Sequence, residues 1–494
     1  MPRPAAPSLN WLTSSVPDSP HAGNPGDHLK DLAAFVTASP SSYHAVAEAE
    51  RRLVEAGFAK LAESDAWAGA PARAFVVRDG AIVAWVLPQR MTPTTPFRIV
   101  GSHTDSPGFR LKPKPTTASH GWLQAGVEVY GGPLLNSWLD RELEFAGRIV
   151  FRDGTTALVR TGPFLRFPQL AVHLDRGVNT DGLVLNPQTQ MNPVIGLSQA
   201  SRSGDAGGAG DADIVAHLAR LAGGSGADVA GYDIAVADTT PPSVFGIDAQ
   251  LFASGRLDNL VSVHASIVAL IALSEAEQKS GNERTDVAVL AAFDHEEVGS
   301  ATRSGASGPF LADTLTRISG LAASVSVSST EPGSTTPVPA PATNQSESAE
   351  STQFASTESA HLRALAGSWC LSADVGHSVH PNYPDRHDPA NRPLAGRGPI
   401  LKINANQRYA TDGVGAAEWA RACARAGVPY QEFVSNNAIA CGSTTGPLTA
   451  TRLGVRTIDV GIAVLSMHSA RELCSADDPA LFSQAIAAFL APNG

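Results

Sequence analysis

Cysteine is scarce in this chain: four residues in 494, Cys370, Cys423, Cys441 and Cys474, none of them in a CxxC pair. That scarcity argues against a disulfide framework and a thiolate zinc site, and it fits a reducing, cytoplasmic setting. Long hydrophobic runs are missing too. No stretch of about 18 consecutive apolar residues occurs, so no membrane span is expected. Residues 1–22 carry proline and serine without a continuous apolar segment, which reads as a loose tail and not as a secretory signal. A surplus of positive charge is also absent: the net charge of −11 argues against nucleic acid as a partner. The same sign offers acidic substrates no general attraction, so any preference for them must come from groups inside a pocket. There is no internal repeat and no compact HExxH-type metal motif.

What the chain does have is length and alternation. At 494 residues it exceeds one compact core, which calls for two domains or one with large insertions. Hydrophobic residues at 43% and charged ones at 17% are ordinary for a soluble enzyme. Apolar residues recur at helical spacing over 28–39 and 43–57. Residues 73–87 read as two strands around Asp79-Gly80, and 97–100 as a buried strand. From about 116 to 238 the texture changes to short strand-like pieces, such as 148–152 and 156–159, among Gly, Pro and Asn turns. Residues 201–213 and 223–228 there read as flexible loops. Helix 257–276, strands 286–293 and 369–373, helix 414–426, strands 430–434 and 456–460, and helix 479–491 follow. This alternation predicts an α/β fold, a mixed sheet with helices on both faces, in two parts, 1–115 (a loose tail to 25) and 241–494. A β-rich insertion over 116–240 separates them. Within the second part, 323–358 is dominated by Ser, Thr, Pro and Glu and is expected to be a surface loop.

Metal-type ligands gather beside the ends of these strands. In Gly-Ser-His103-Thr-Asp105, residues two apart share a face if the strand continues, so Asp105 can hold the His103 imidazole. A loop histidine followed by a turn-forming aspartate fits the tripeptide as well. Asp258, in Ser-Gly-Arg-Leu-Asp-Asn-Leu at a helix start, reads in isolation as a helix cap. Phe293-Asp294-His295-Glu296-Glu297 ends an apolar strand in four ionisable groups, which a solvated surface explains less readily. Two adjacent carboxylates there can divide metal binding and general-base work. Asp374 follows another strand, in Ser-Ala-Asp-Val-Gly-His-Ser-Val-His. His468, in Ser-Met-His-Ser-Ala-Arg-Glu, reads alone as a satisfied histidine. Scattered ligands of this kind suit a site at the strand ends of an open sheet.

Taken together and in order, GSHTDSPGFRLKPKP (101–115), SGRLDNLVS (254–262), FDHEEVGS (293–300), SADVGHSVHPNY (372–383), LKINANQRYAT (401–411), CGSTTGP (441–447) and SMHSARE (466–472) resemble the aspartyl aminopeptidase family of two-zinc metallopeptidases. The resemblance covers nearly the whole chain from about residue 30. It implies a zinc-exopeptidase-like fold whose inserted β-rich domain serves dimerisation, and removal of acidic residues from peptide N-termini. It further implies two Zn2+ per subunit bridged by Asp258, with His103 and Asp374 on one ion and Glu297 and His468 on the other. Ligand type alone leaves Mn2+ or Co2+ open. Glu296 becomes the general base and Asp105 the partner of His103. Lys402 becomes the cation that meets an acidic side chain, although charge alone does not separate it from a surface lysine. His173, in the insertion, is implied to reach the site of a neighbouring subunit in a homododecamer; as a residue it reads equally as a strand histidine with structural duties. One position departs from the family: Ala438 stands where relatives carry an acid before CGST, which puts selectivity in doubt. The same centre with broader aminopeptidase or amidohydrolase specificity therefore stays open, and so does a non-catalytic oligomeric scaffold. Against the scaffold, buried converging carboxylates have no structural use.

Overall fold

Two strands that turn on Asp79-Gly80 start the largest sheet. They are β2 (Arg73–Arg78) and β3 (Ala81–Val86), paired antiparallel, with Asp79 in the left-handed region at φ 56°. The structure, a computed structural model, describes residues 25–198, 213–281, 284–327 and 358–492. Strands are numbered in chain order. The sheet continues with β1 (Ala59–Lys60), β4 (Phe97–His103), β13 (Val287–Phe293), β14 (Trp369–Ala373), β16 (Ile400–Ile403), β17 (Gln431–Val434) and β18 (Arg456–Gly461). Its order is β1-β2-β3-β13-β4-β14-β18-β16-β17. The central four, β13, β4, β14 and β18, run parallel, while β3 is antiparallel to both its neighbours and β16 to β18, so the sheet is mixed. Every residue of β3 and β13 is buried, which is why both read as unbroken apolar runs.

Helices cover both faces. On one, Pro25–Ala38, Ser42–Glu55, Leu257–Ser280, Gly413–Ala426 and Asp478–Leu490 pack through a core that includes Leu32, Phe35, Leu270, Trp419 and Phe489. On the other, Phe310–Val327 sets Phe310, Leu315 and Ile318 against Trp85 and Phe97. Leu257–Ser280 is long and apolar enough to cross a membrane by composition, yet 78% of its most apolar window is buried here, which makes it a core helix.

A second sheet is antiparallel throughout, in the order β8-β7-β10-β5-β6-β9. It comprises β5 (Gly108–Ser119), β6 (Trp122–Tyr130), β7 (Leu143–Phe151), β8 (Thr156–Arg160), β9 (Val194–Leu197) and β10 (Val229–Asp238). It has its own core of Phe109, Trp138, Phe145 and Phe167. The β texture thus begins at Gly108, ahead of residue 116, and the segment also holds a helix the sequence reading passed over, Ile214–Leu221, capped by Asp213. A third sheet joins β11 (Ser243–Phe245), β12 (Leu251–Ser254), β15 (Gly376–His377), β19 (Ala463–Leu465) and β20 (Glu472–Ser475). The expected tail 1–22, the loop 201–213 (except Asp213) and most of 323–358 lie outside the described residues; 323–327 continue the helix Phe310–Val327, correcting the loop expectation at its start.

Where the first helices meet the core, a half-buried histidine, His28, packs against a fully buried one, His264. His28 lies edge-on to His264 with ring centroids 4.9 Å apart, and His264 Nε2 is 2.8 Å from Asp31 Oδ2, which also takes Arg52. Burial first, and His264 next, push the His28 imidazole from 6.5 down to about 3. The unfolded chain therefore takes this proton first, so the stability from burying neutral His28 is complete above about pH 6.5 and is lost as pH falls toward 3. At pH 5 that loss amounts to about 2 kcal/mol. Calorimetry should show a smaller drop in Tm between pH 7 and pH 5 for His28→Gln than for the unchanged chain; equal drops would remove His28 from the account.

Candidate metal centre

The carboxyl ends of the parallel strands converge on one spot. His103 is the last residue of β4 and pairs with Phe293, the last of β13, so Asp294, Glu296 and Glu297 emerge beside it. Asp374 follows β14, the neighbour of β4 on the other side. Asp258 comes in from the start of Leu257–Ser280, and His468 from the turn between β19 and β20. Asp258 stands between the two imidazoles: its Oδ1 is 3.3 Å from His103 Nε2 and its Oδ2 is 3.4 Å from His468 Nε2. Asp374 Oδ1 is 3.6 Å from His103 Nε2, and Glu297 Oε2 is 3.6 Å from His468 Nε2. Asp258 is thus not occupied as a helix cap; it and Asn259 depart from helical geometry, and the Asp258 carboxylate stands between the histidines.

Asp105 works differently from the sequence argument. β4 stops at His103, so the two do not share a strand face. The His103 Nδ1 lies 3.0 Å from the main-chain carbonyl of Asp105, and the carboxylate is at 3.4 Å. That carboxylate instead accepts the amide N–H groups of Glu296 (3.0 Å) and Glu297 (3.2 Å) and the hydroxyl of Tyr130 (2.7 Å). It holds the two neighbouring glutamates by their backbone as well as standing behind His103.

The charges are strongly coupled. Burial pulls the His103 imidazole down, but Asp105, Asp258 and Asp374 outweigh it and hold the ring well above its usual value. Burial likewise opposes the shift at His468, and Asp258 wins, raising it to about 9. Asp258 itself is pushed up by burial and held below the usual carboxylate range by the two histidines. Glu297 is driven well up, by burial and then by Asp258, and Glu296 rises to about 7, by burial first, with Asp374 and Asp258 adding to it. A divalent cation fits this donor set. Ligand atoms of His103, Asp258 and Glu297 all lie within 4.8 Å of one another, and Asp258 Oδ1 and Glu297 Oε1 are buried without a hydrogen-bond partner. Imidazole and carboxylate donors at a concave strand-end site are those of catalytic zinc.

Lys402, on β16, is buried at 1% exposure and is no surface lysine. Its Nζ donates to the Val375 carbonyl at 2.8 Å, stands 3.5 Å from Asp374 Oδ2, and lies 5.4 Å from the Tyr409 ring centroid. His173 is not part of this cluster. It sits in an exposed turn, outside any strand, between Val172 and Leu174.

Three supporting groups escaped the sequence reading. Tyr130 reaches Asp105, the Gly132 carbonyl takes His468 Nδ1 at 3.0 Å, and Glu472 accepts two backbone amides at the site. The Tyr130-Gly131-Gly132 end of β6 carried a usable signal. A Cβ on Gly131 would come within 3.1 Å of Glu297 Cβ, and its φ of +67° suits glycine.

The chain is similar to known proteins along most of its length. The family described as Aminopeptidase I zinc metalloprotease (M18) matches residues 35–490. A probable M18 family aminopeptidase 2 of Streptomyces avermitilis is 49% identical over 464 residues, covering 94% of this chain and 97% of its own. Its counterpart in Mycobacterium tuberculosis is 42% identical over 467 residues, with coverages of 93% and 97%. Among solved structures, the chain resembles one from a cryo-EM structure of the Ape4 and Nbr1 complex, at TM-score 0.82 and 31% identity over 95% of this chain and 86% of that one. It also resembles the S. cerevisiae mApe1 dodecamer, at TM-score 0.75 and 25% identity, covering 94% and 96%.

Proposed function

The chain belongs to the M18 family of zinc aminopeptidases, and from that membership we propose that it removes Asp or Glu from peptide N-termini using two zinc ions. Asp258 is shared between them, His103 and Asp374 complete one set, and Glu297 and His468 the other; Mn2+ or Co2+ suits the same donors. When bound, the metal polarises the scissile carbonyl and lowers the pKa of the attacking water. Glu296 accepts the water proton and delivers it to the leaving amine, a role suited to a carboxyl near 7. Asp105 keeps Glu296 and Glu297 in place through their amides.

The observation that carries the acidic preference is Lys402, a buried ammonium adjoining Asp374 in the ligand set. Release of the first residue from Asp-, Glu-, Leu- and Lys-amides tests it. The unchanged chain should favour the acidic pair, and Lys402→Ala should cut its kcat/KM on them by about 10- to 100-fold, the worth of a charged hydrogen bond, while leaving Leu-amide within a few-fold. Uniform loss across the panel would take Lys402 out of substrate selection. A broader specificity is the second reading. It is favoured by Ala438, whose exposed turn, closed by its N–H on Asn436 Oδ1, offers no carboxylate.

Self-association belongs to the proposal as well. The mApe1 relative was solved as a dodecamer, and here the turn of His173 bears exposed Leu174 (75%), with Val184 (86%) nearby in the chain. A partner surface over this turn would carry His173 toward a neighbouring subunit's site. A cytoplasmic setting is supported by the four free cysteines, three of them buried.

A further inference from the structure

Glu472 opens β20 and pairs there with Ser254 of β12, the strand that leads into Arg256 and Asp258. It is buried at 2% exposure. One carboxylate oxygen accepts the Asp258 N–H at 2.9 Å, and the other accepts the His468 N–H at 2.9 Å. A single side chain therefore ties together the main chains of the two residues whose side chains stand 3.4 Å apart in the centre. Neither main chain lies in relaxed regular structure. His468 has φ +66°, in the left-handed region that a non-glycine residue enters only at a cost. Asp258 departs from helical geometry at the start of its helix. Other bonds reach these residues singly, Leu134 N–H to the His468 carbonyl and the Ser106 hydroxyl to the Asp258 carbonyl, but each touches only one of them. A buried carboxylate is costly unless its oxygens are matched. Here both are matched by amides of the centre, and no neutral side chain of this length supplies two acceptor oxygens in one plane.

We propose that Glu472 is a positioning residue of the metal centre, its two oxygens setting the separation of Asp258 and His468. The inference rests on the reading of Asp258, Glu297 and His468 as ligands. Glutamine keeps one acceptor and turns an NH2 toward the second amide; aspartate keeps the charge but is one methylene short of spanning both. The test uses the full chain, stripped of metal with a chelator, titrated with Zn2+ by calorimetry and with Co2+ by its visible absorption. Glu472→Gln should keep the circular dichroism of the unchanged chain, bind Zn2+ about 10- to 100-fold more weakly in at least one step, and show an altered Co2+ spectrum. At saturating Zn2+ its kcat should fall by more than its KM changes. If Glu472→Gln fails to fold, Glu472→Asp carries the same readouts. A merely structural glutamate would lower Tm and leave Zn2+ affinity and the Co2+ spectrum unmoved, and that result would overturn the inference. An unchanged chain that takes up no Zn2+ would overturn the ligand reading and this inference together; one that binds Zn2+ beside indistinguishable variants overturns this inference alone.

Discussion

Glu296→Gln should lower kcat by about 10²- to 10⁴-fold, the usual worth of a positioned general base, with zinc content unchanged. The separation of the two effects comes from the geometry. Glu296 and Glu297 are adjacent, yet Glu297 approaches His468 within 3.6 Å, while among the described residues no side-chain hydrogen bond ties the Glu296 carboxyl down. Its backbone N–H is fixed to Asp105, so the isosteric amide keeps the local fold. Release of Asp from Asp-amide, with zinc per chain measured by mass spectrometry of the metal, checks both halves. Turnover within tenfold of the unchanged chain would move the base elsewhere, and loss of zinc would make Glu296 a ligand.

The second large effect falls on Asp258. Asparagine presents one oxygen where the carboxylate offers two, and the histidines need both: Oδ1 faces His103 and Oδ2 faces His468. Removing one member of a buried charged set costs about 3–5 kcal/mol, so zinc affinity should drop roughly 10²- to 10⁴-fold and turnover should vanish at ordinary zinc concentrations. Stability gives an independent reading, because a metal that binds only the folded chain raises Tm. The unchanged chain should melt at a lower temperature after chelation, whereas Asp258→Asn should melt alike with and without chelator. Equal zinc content in the two proteins would end the assignment of Asp258 as the shared ligand.

The parts of the fold legible in the sequence were those written locally. Asp79-Gly80 marks its turn by residue type alone, and the strand expected over 369–373 is found as Trp369–Ala373, where an apolar run ends in a small residue and an acid. The third sheet was invisible because its strands are two to four residues long, too short for any period to register. Thr445–Leu453 and Phe310–Val327 were also passed over; the first opens Thr-Gly-Pro, which reads as a turn although Thr444 caps it. At the site, the residue types were visible but their pairings were not. Asp258 reads by residue type as a cap, and its carboxylate comes to stand between His103 and His468 only through the packing of distant segments. Lys402 posed the same question, and its burial at 1% gave an answer composition could not. Glu472 carries no role that its motif SMHSARE reveals, since a carboxylate that acts on backbone amides leaves no mark in a sequence.

On the proposed assignment, the order in which the chain supplies its ligands sets when the metal centre can be completed. His103 arrives early and His468 close to the end, with Asp258, Glu297 and Asp374 between, and they meet only after three parallel strands from distant parts of the chain, β13, β4 and β14, have paired side by side. Contacts of such long range form late in folding. A nascent chain still short of residue 468, a clipped fragment or a half-folded intermediate lacks a complete ligand set. On the proposed assignment, the full ligand set is therefore completed only in a chain made through residue 468 and folded.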